Sequence, residues 1–198
     1  MNKFFRKLLF LMFATLSLTA ATSCENDDYP AELDFVGDSL VARWDLQQSF
    51  SSLVTNNYGL SGAGIDYVEG LAGRFPGKTI VVLIGTNNSD LFTSEESRQQ
   101  YADRYLAAIK ALGASKVYLY QLLPRDFETD REGINDDIRA FNDIIAARIA
   151  CDSQFRYLKV FDNFINPHGS IKVEYYNDRL HLSPAGYEIL SNELFKAL

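Results

Sequence analysis

Short runs of apolar residues alternate with longer segments of helical periodicity along most of the chain. The run from Thr79 to Ile84 is continuous, which is typical of a central strand covered on both faces. Together the apolar runs predict strands at 33–36, 54–58, 79–84, 116–122 and 157–161. The segments between them predict helices at 65–75, 94–112, 134–150 and from Pro184 onward.

Strands that alternate with helices of this size are typical of a parallel sheet with helices on both faces. We therefore predict one α/β domain, a three-layer α/β/α sandwich with a mainly parallel five-stranded sheet. Sheets of this kind bind ligands beyond the carboxyl ends of their strands. The polar residues that follow the strands are thus the ones to examine for function.

Local signals mark the ends of two predicted helices. Thr93 and Glu96 can form a capping box at the start of the long helix, and Gly113 can end it. Ser183 can cap the last helix, with Pro184 in its first position. The residues just before Ser183 can then return to the carboxyl edge of the sheet.

The N-terminal residues follow a different pattern. Basic residues precede an apolar run at 8–18, which is shorter than the roughly 20 residues needed to span a bilayer. This pattern predicts a signal peptide at 1–23, a tether at 24–32 and a domain at 33–198. Cys24 lies at the cleavage site.

The cleavage site resembles the lipobox of bacterial lipoproteins, which implies that Cys24 is lipidated. Ala21 stands where the usual lipobox has leucine, and this looser form resembles Bacteroidetes lipoproteins, as does the acidic tract 25–28. The expected location is therefore the outer membrane or cell surface. The alternative is an ordinary periplasmic or secreted protein with a free cysteine near its end.

Charge and composition narrow the classes of partner. Removing residues 1–23 takes away three positive charges and no negative ones, which changes the net charge from −7 to −10. An acidic protein is a poor candidate for nucleic acid or an anionic membrane surface, so we expect no nucleic-acid partner and membrane contact only through the lipid anchor. If Cys24 is lipidated, Cys151 has no disulfide partner, and we expect it to be buried on a helix. No metal-ligand spacing or phosphate loop is present, so we expect no metal and no cofactor.

Polar residues at the predicted strand ends suit acyl transfer. Ser39 follows the first strand, and a serine nucleophile needs a base within hydrogen-bonding reach. His181 is one of only two histidines and lies three positions after Asp178, whose carboxylate could orient its ring. A glycine turn after the second strand and Asn87 after the third could donate hydrogen bonds to an oxyanion.

These segments resemble the SGNH (GDSL-type) hydrolase superfamily, and the resemblance extends from residue 33 to the end. It rests on four blocks in order: 37–40 (GDSL), 59–62 (GLSG), 85–88 (GTNN) and 178–181 (DRLH). The resemblance implies a flavodoxin-like SGNH hydrolase fold, with Ser39 as nucleophile, Asp178 and His181 completing a triad, and an oxyanion hole formed by Ser39, Gly62 and Asn87.

Two departures from the family pattern concern the surroundings of the site. Asn88 replaces a common aspartate, and we expect it to support the turn. The first block continues as Val41-Ala42-Arg43-Trp44 and not as the common Thr-x-Gly, so Arg43 and Trp44 could line a pocket. Candidates for substrate contact are Asp38, Trp44, Asn88 and Phe127.

Several structural interpretations of the same residues stay open. Ser39 could be a helix N-cap, and Asp178 and His181 could be ordinary loop residues. Trp44 and Phe127 could belong to the core.

The resemblance and the predicted location lead to one expected function and two alternatives. We expect a serine esterase that removes small acyl groups, most simply acetyl, from a carbohydrate. A lysophospholipase or thioesterase acting on longer chains is one alternative, and a catalytically weak glycan-binding lipoprotein is the other. The oligomeric state stays open.

Overall fold

A computed structural model describes residues 30–198 and contains a five-stranded sheet with all strands parallel. The spatial order of the strands is β2-β1-β3-β4-β5. The strands are β1 (Glu32–Gly37), β2 (Val54–Gly59), β3 (Thr79–Leu83), β4 (Lys116–Tyr120) and β5 (Phe155–Leu158). The predicted α/β class and parallel sheet are confirmed.

Six α-helices and three short 3₁₀ helices connect the strands within the described residues. The α-helices are α1 (Ser39–Ala42), α2 (Leu46–Ser49), α3 (Ile65–Glu69), α4 (Glu95–Ala111), α5 (Ile134–Ile149) and α6 (Pro184–Phe195). The 3₁₀ helices are Thr86–Phe92, Phe161–Phe164 and Val173–Tyr175. Apolar residues of α3, α4 and α5 pack on one face of the sheet, and those of α1, α2 and α6 pack on the other.

The two cores explain the continuous apolar runs of the central strands. Val82 of β3 faces the core under α4, whereas its neighbours Val81 and Leu83 face the core under α6. Successive side chains of a strand point to opposite faces, so a strand covered on both sides needs apolar residues at every position.

The structure corrects the bounds of two predicted elements. The last strand begins two residues and ends three residues earlier than predicted, because Phe161 belongs to a 3₁₀ helix and donates its N–H to the Gln121 side chain (3.0 Å). The helix predicted at 65–75 ends at Glu69. Beyond it, Phe75 donates its N–H to the Leu112 carbonyl (3.0 Å), so tertiary hydrogen bonds replace helical ones.

Two further local predictions were wrong. Helix α4 is capped by Ser94 and Ser97, which exchange hydrogen bonds, and not by Thr93 with Glu96. Cys151 is exposed rather than buried, because α5 ends at Ile149 and the chain turns at the surface before β5.

The predicted signal peptide (1–23) and Cys24 lie outside the described residues, as does most of the predicted tether 24–32. Within residues 30–198, no helix is both long enough and apolar enough to cross a membrane. The same residues contain no group of three or more His, Cys, Asp or Glu side chains that could hold a metal ion.

Gly37 is the tightest packing point at the carboxyl edge of the sheet. A Cβ atom added there would lie 2.1 Å from the Leu83 carbonyl oxygen and 2.4 Å from Val41 Cγ2. The oxygen belongs to the backbone of β3 and cannot move without disturbing the pairing of β1 with β3.

We therefore expect Gly37→Ala to lower the free energy of unfolding by at least about 2 kcal/mol, because the added methyl group would overlap a backbone atom that cannot move aside. Urea denaturation checks this. Gly70→Ala is the control, since its added Cβ would lie 3.3 Å from the Tyr67 carbonyl oxygen and its φ is already helical. Equal losses in the two variants would contradict the prediction.

Candidate active site

The turn from β1 into α1 exposes the first helical amide at the carboxyl edge of the sheet. Asp38 caps the helix and accepts the Leu40 N–H (2.9 Å). Ser39 is the first residue of α1. Its backbone N–H has no acceptor among the described residues, as expected for the first turn of a helix.

Ser39, His181 and Asp178 form a hydrogen-bonded series. His181 Nε2 lies 3.0 Å from Ser39 Oγ, and His181 Nδ1 lies 2.6 Å from Asp178 Oδ2. The ring therefore contacts the hydroxyl with one nitrogen and the carboxylate with the other. In this arrangement the carboxylate fixes the tautomer that leaves Nε2 free to accept a proton.

The loop before α6 is shaped so that Asp178 holds both the backbone and the ring of His181. Asp178 Oδ1 accepts the N–H groups of His181 (2.6 Å) and Leu180 (3.1 Å), while Oδ2 contacts the ring. Arg179, between them, has a φ of +65°, which is uncommon for a residue with a side chain. The backbone strain at Arg179 is the cost of bringing the carboxylate and imidazole together three residues apart.

Asp178 is held in its charged form. Desolvation alone would raise the pKa of its carboxyl, but the hydrogen bonds from the His181 N–H, the His181 ring and the Leu180 N–H together lower the pKa below its ordinary value. A charged carboxylate is the state that stabilises an imidazolium.

Two further donors follow β2 and β3, the strands on either side of β1. Gly62 has a φ of +78° and is exposed, and its N–H has no acceptor among residues 30–198. Asn87 is exposed and donates one hydrogen of Nδ2 to the Ala63 carbonyl (2.9 Å), which orients the amide next to the Gly62 turn. Since an amide nitrogen carries two hydrogens, one remains for a ligand.

Asn88 and Asp38, both candidates for substrate contact, are instead structural residues. Asn88 Oδ1 accepts the Ile65 N–H (2.9 Å) and the Tyr101 hydroxyl (2.8 Å), so it ties the turn to α3 and α4, in line with the expected support of the turn. Asp38 is completely buried and cannot reach a ligand. Its predicted substrate contact is wrong, because its carboxyl is used to cap α1.

Trp44 and Phe127 lie outside the hydrogen-bonded series. Trp44 is 3% exposed and packs among Phe35, Phe50 and Tyr187, so it is mainly a core residue. Phe127 is half-buried in the segment 125–133.

Arg125 is a site residue that sequence reasoning missed. Its guanidinium donates to the Thr86 carbonyl (2.8 Å), directly before Asn87, and makes a two-pronged pair with Asp130 (2.9 and 2.7 Å). The two side chains are 11% and 9% exposed. The signal was available, because Arg125 follows the fourth strand at the same edge of the sheet.

The segment 125–133 contacts both halves of the candidate site. Arg125 holds the loop that carries Asn87, and Asp126 pairs with Arg179 (2.9 Å) in the loop that carries Asp178 and His181. The Asp126 N–H also donates to the Arg179 carbonyl (3.1 Å). The segment therefore acts as a clamp across the carboxyl edge of the sheet.

A serine, a histidine and an aspartate in hydrogen-bonded series, at the carboxyl edge of a parallel sheet, are the arrangement of the α/β serine hydrolases. The chain matches the model of the GDSL-like lipase/acylhydrolase family over residues 17–189. The chain belongs to this family, which confirms the family resemblance drawn from the sequence.

Solved structures share the fold. A Streptococcus pneumonia protein proposed to be a platelet activating factor is 26% identical, with a TM-score of 0.67 over 87% of this chain and 86% of that chain. A GDSL-like lipase from Bacteroides thetaiotaomicron is 18% identical, with a TM-score of 0.66 over 84% of this chain and 87% of that chain.

A curated relative matches only in part. The N-acylneuraminate cytidylyltransferase of Escherichia coli is 27% identical over 84% of this chain and 40% of its own length. The chain thus spans less than half of that relative.

The buried carboxyl of Asp38 predicts a pH-dependent stability. Burial raises its pKa to about 6, although nearby amides, that of Leu40 first, lower it in part. The folded state therefore binds this proton more tightly than the unfolded state does. The free energy of unfolding should consequently fall as the pH rises from about 4 to about 7, by up to about 3 kcal/mol from this group.

Asp38→Asn should lack this component, whatever its overall stability, because the amide does not titrate. Urea denaturation of both proteins at about pH 4.5 and about pH 7.5 checks this. The fall in the free energy of unfolding between the two pH values should be larger in the wild type than in Asp38→Asn. An equal fall in the two proteins would contradict the prediction.

Arg125→Lys should lower kcat on p-nitrophenyl acetate about tenfold with little change in KM. Lysine cannot hydrogen-bond to Thr86 and to both Asp130 oxygens at once, so Asn87 loses its fixed position. The expected loss is smaller than that for removing a whole oxyanion donor, because the Asn87 side chain itself is still present. Arg139→Lys is the control, because Arg139 lies on α5 and pairs with the exposed carboxylate of Asp162. An unchanged kcat in folded Arg125→Lys would rule out this positioning role.

Proposed function

We propose that this protein is a serine esterase that removes small acyl groups, above all acetyl, from a carbohydrate. The observation that carries the proposal is the series Ser39–His181–Asp178, with contacts of 3.0 and 2.6 Å. The unpaired amides of Ser39 and Gly62, together with the Asn87 side chain, supply the donors that acyl transfer needs.

In the proposed reaction, Ser39 Oγ attacks the acyl carbon as His181 Nε2 accepts the hydroxyl proton. The negative oxygen of the tetrahedral intermediate accepts hydrogen bonds from Ser39, Gly62 and Asn87, and Asp178 stabilises the imidazolium. The carbon–oxygen bond of the ester then breaks, and the leaving alcohol takes the proton from His181. His181 then takes a proton from water, which attacks the acyl-serine. The bond between the acyl carbon and Ser39 Oγ breaks, the proton returns from His181 to Ser39 Oγ, and the acid is released.

The bonded position of the segment 125–133 supports a small acyl group. The segment 125–133 is the natural candidate for a lid, but Arg125 and Asp126 pin it to the two loops on either side of the serine. A segment that is bonded to both loops cannot fold over a long acyl chain as a mobile lid would, which favours a short acyl group on a bulky alcohol over a long fatty chain.

The proposed carbohydrate has separate support. The name of the Escherichia coli relative refers to an N-acylated sugar acid, which favours a carbohydrate as the class of substrate without fixing its charge, and the match covers 40% of that protein. We further propose that lipidation at Cys24 holds the protein at the cell surface, where glycan esters are abundant.

Hydrolysis of p-nitrophenyl esters from acetate to decanoate tests the proposal. Residues 25–198 should turn over acetate fastest, and Ser39→Ala should lose at least about 10³-fold in kcat, because the nucleophile is removed. A fluorophosphonate should label Ser39 in the wild type. Ser191→Ala is a matched control, since this serine also lies on the α6 side but donates to the Tyr187 carbonyl (2.8 Å).

Each alternative function gives a different result. A preference for long chains would favour the lysophospholipase or thioesterase and overturn the small-acyl proposal. No turnover and no labelling of folded protein would overturn the esterase and favour a glycan-binding lipoprotein.

A further inference from the structure

A cavity of about 610 Å³ lies between the α1–α2 region and α6, to one side of the candidate site. Its volume falls in the range of ordinary ligand-binding clefts. Trp44, Leu182 and Tyr187 contribute apolar surface to its wall, and Gln48 and Asn192 contribute amides. The cavity is therefore an amphipathic cleft.

The wall of the cavity is hydrogen-bonded to the segments that carry the nucleophile and the base. Arg43 donates its N–H to the Ser39 carbonyl (3.1 Å), and Asn177 donates its N–H to the His181 carbonyl (2.7 Å). The Tyr187 hydroxyl donates to the carbonyl of the residue after Ser39 (2.8 Å). Ser39 and His181 do not line the cavity themselves, but a ligand in it would contact the residues that adjoin them, Arg43 and Leu182 among them.

The rim carries polar side chains that have no hydrogen-bond or ion-pair partner within the described part of the chain. Arg43, Gln48, Glu188 and Asn192 are all exposed, and none of their side chains has a hydrogen-bond or ion-pair partner among residues 30–198. Most other arginines of the domain are paired, as Arg125 is with Asp130. Free amide, guanidinium and carboxylate groups around one cavity are suited to hydroxyl ligands.

The inner wall is aromatic and fixed. The rings of Trp44 and Tyr187 have centroids 5.4 Å apart at an angle of 32°. Trp44 also donates its indole N–H to Ser49 Oγ (3.0 Å). The half-buried Tyr187 offers an apolar surface to one face of a cyclic ligand, and the neighbouring hydrogen-bonding groups can contact the edge of that ligand.

We propose that this cavity binds uncharged sugar units of the glycan whose ester is cleaved at Ser39. The inference rests on the proposed esterase function and adds where the alcohol part of the substrate binds. An acyl chain would leave the polar rim unsatisfied. A strongly anionic sugar would meet Asp45 and Glu188 with only Arg43 to balance them.

Trp44 provides a direct readout, since it is the only tryptophan in the 198 residues. Wild-type protein is titrated with xylotetraose and with chitotetraose while tryptophan fluorescence is recorded. A saturable change is expected with at least one of them. Ala185→Phe, at an exposed position in the cavity wall, should abolish the change by filling the cleft.

Two matched alanine variants on α2 provide a test that does not depend on the bulky Ala185→Phe substitution. Gln48→Ala should weaken the Kd about tenfold, as expected for one lost polar contact. Gln47→Ala, one position earlier and outside the cavity wall, should leave the Kd unchanged. Circular dichroism confirms that each variant is folded.

The absence of a saturable change with both sugars, or the same Kd in Ala185→Phe as in the wild type, would overturn the cavity proposal. Turnover of p-nitrophenyl acetate by the same preparation separates the two proposals. Turnover without sugar binding leaves the esterase and rejects the cavity site. Sugar binding without turnover supports the cavity site and rejects the esterase.

Discussion

The hydrogen bond between Ser39 Oγ and His181 Nε2 joins two residues that are 142 positions apart in the chain. Neither local structure nor any single helix can form it. It exists only when β1 lies inside the sheet and the loop before α6 returns to the same edge. All of the site geometry depends on this long-range closure, and therefore on the two cores that hold the sheet between its helices.

Polar residues at the edge of the sheet divide into two groups with different environments. Asp38, Asn88 and Arg125 are largely enclosed and bonded to backbone or to a partner, so they set the paths of the loops. Gly62 and Asn87 keep donors that nothing in the described chain uses. The groups that hold the loops already have hydrogen-bond partners within the fold. The groups without such partners are the ones that can bind a ligand.

The arrangement of the sheet and the main site residues could be predicted because each depends on a short pattern. Ser39 comes two residues after the end of β1 and Asn87 four residues after the end of β3, and parallel strands end at a common edge. Asp178 and His181 lie in one loop, three residues apart. Their hydrogen bonds need no knowledge of distant packing beyond the return of that loop to the edge.

The failures have the opposite origin. The last strand was placed too late because Val160 and Phe161 are apolar, although they reach the core from a loop and a 3₁₀ helix. Arg125 was missed because its role depends on Thr86 and Asp130, which the path of the chain brings together. Whether Thr93 or Ser94 caps α4 depends on the exact residue at which the helix begins. The periodicity of the sequence does not fix that residue to within one position.

The direction of β1 has a mechanical consequence. The strand enters the sheet at Glu32 and ends at Gly37, so whatever holds the chain at its amino end attaches to the edge of the sheet opposite Ser39, about 20 Å away. If Cys24 is lipidated, as we propose, the protein is held from that side, and Ser39 faces away from the point of attachment.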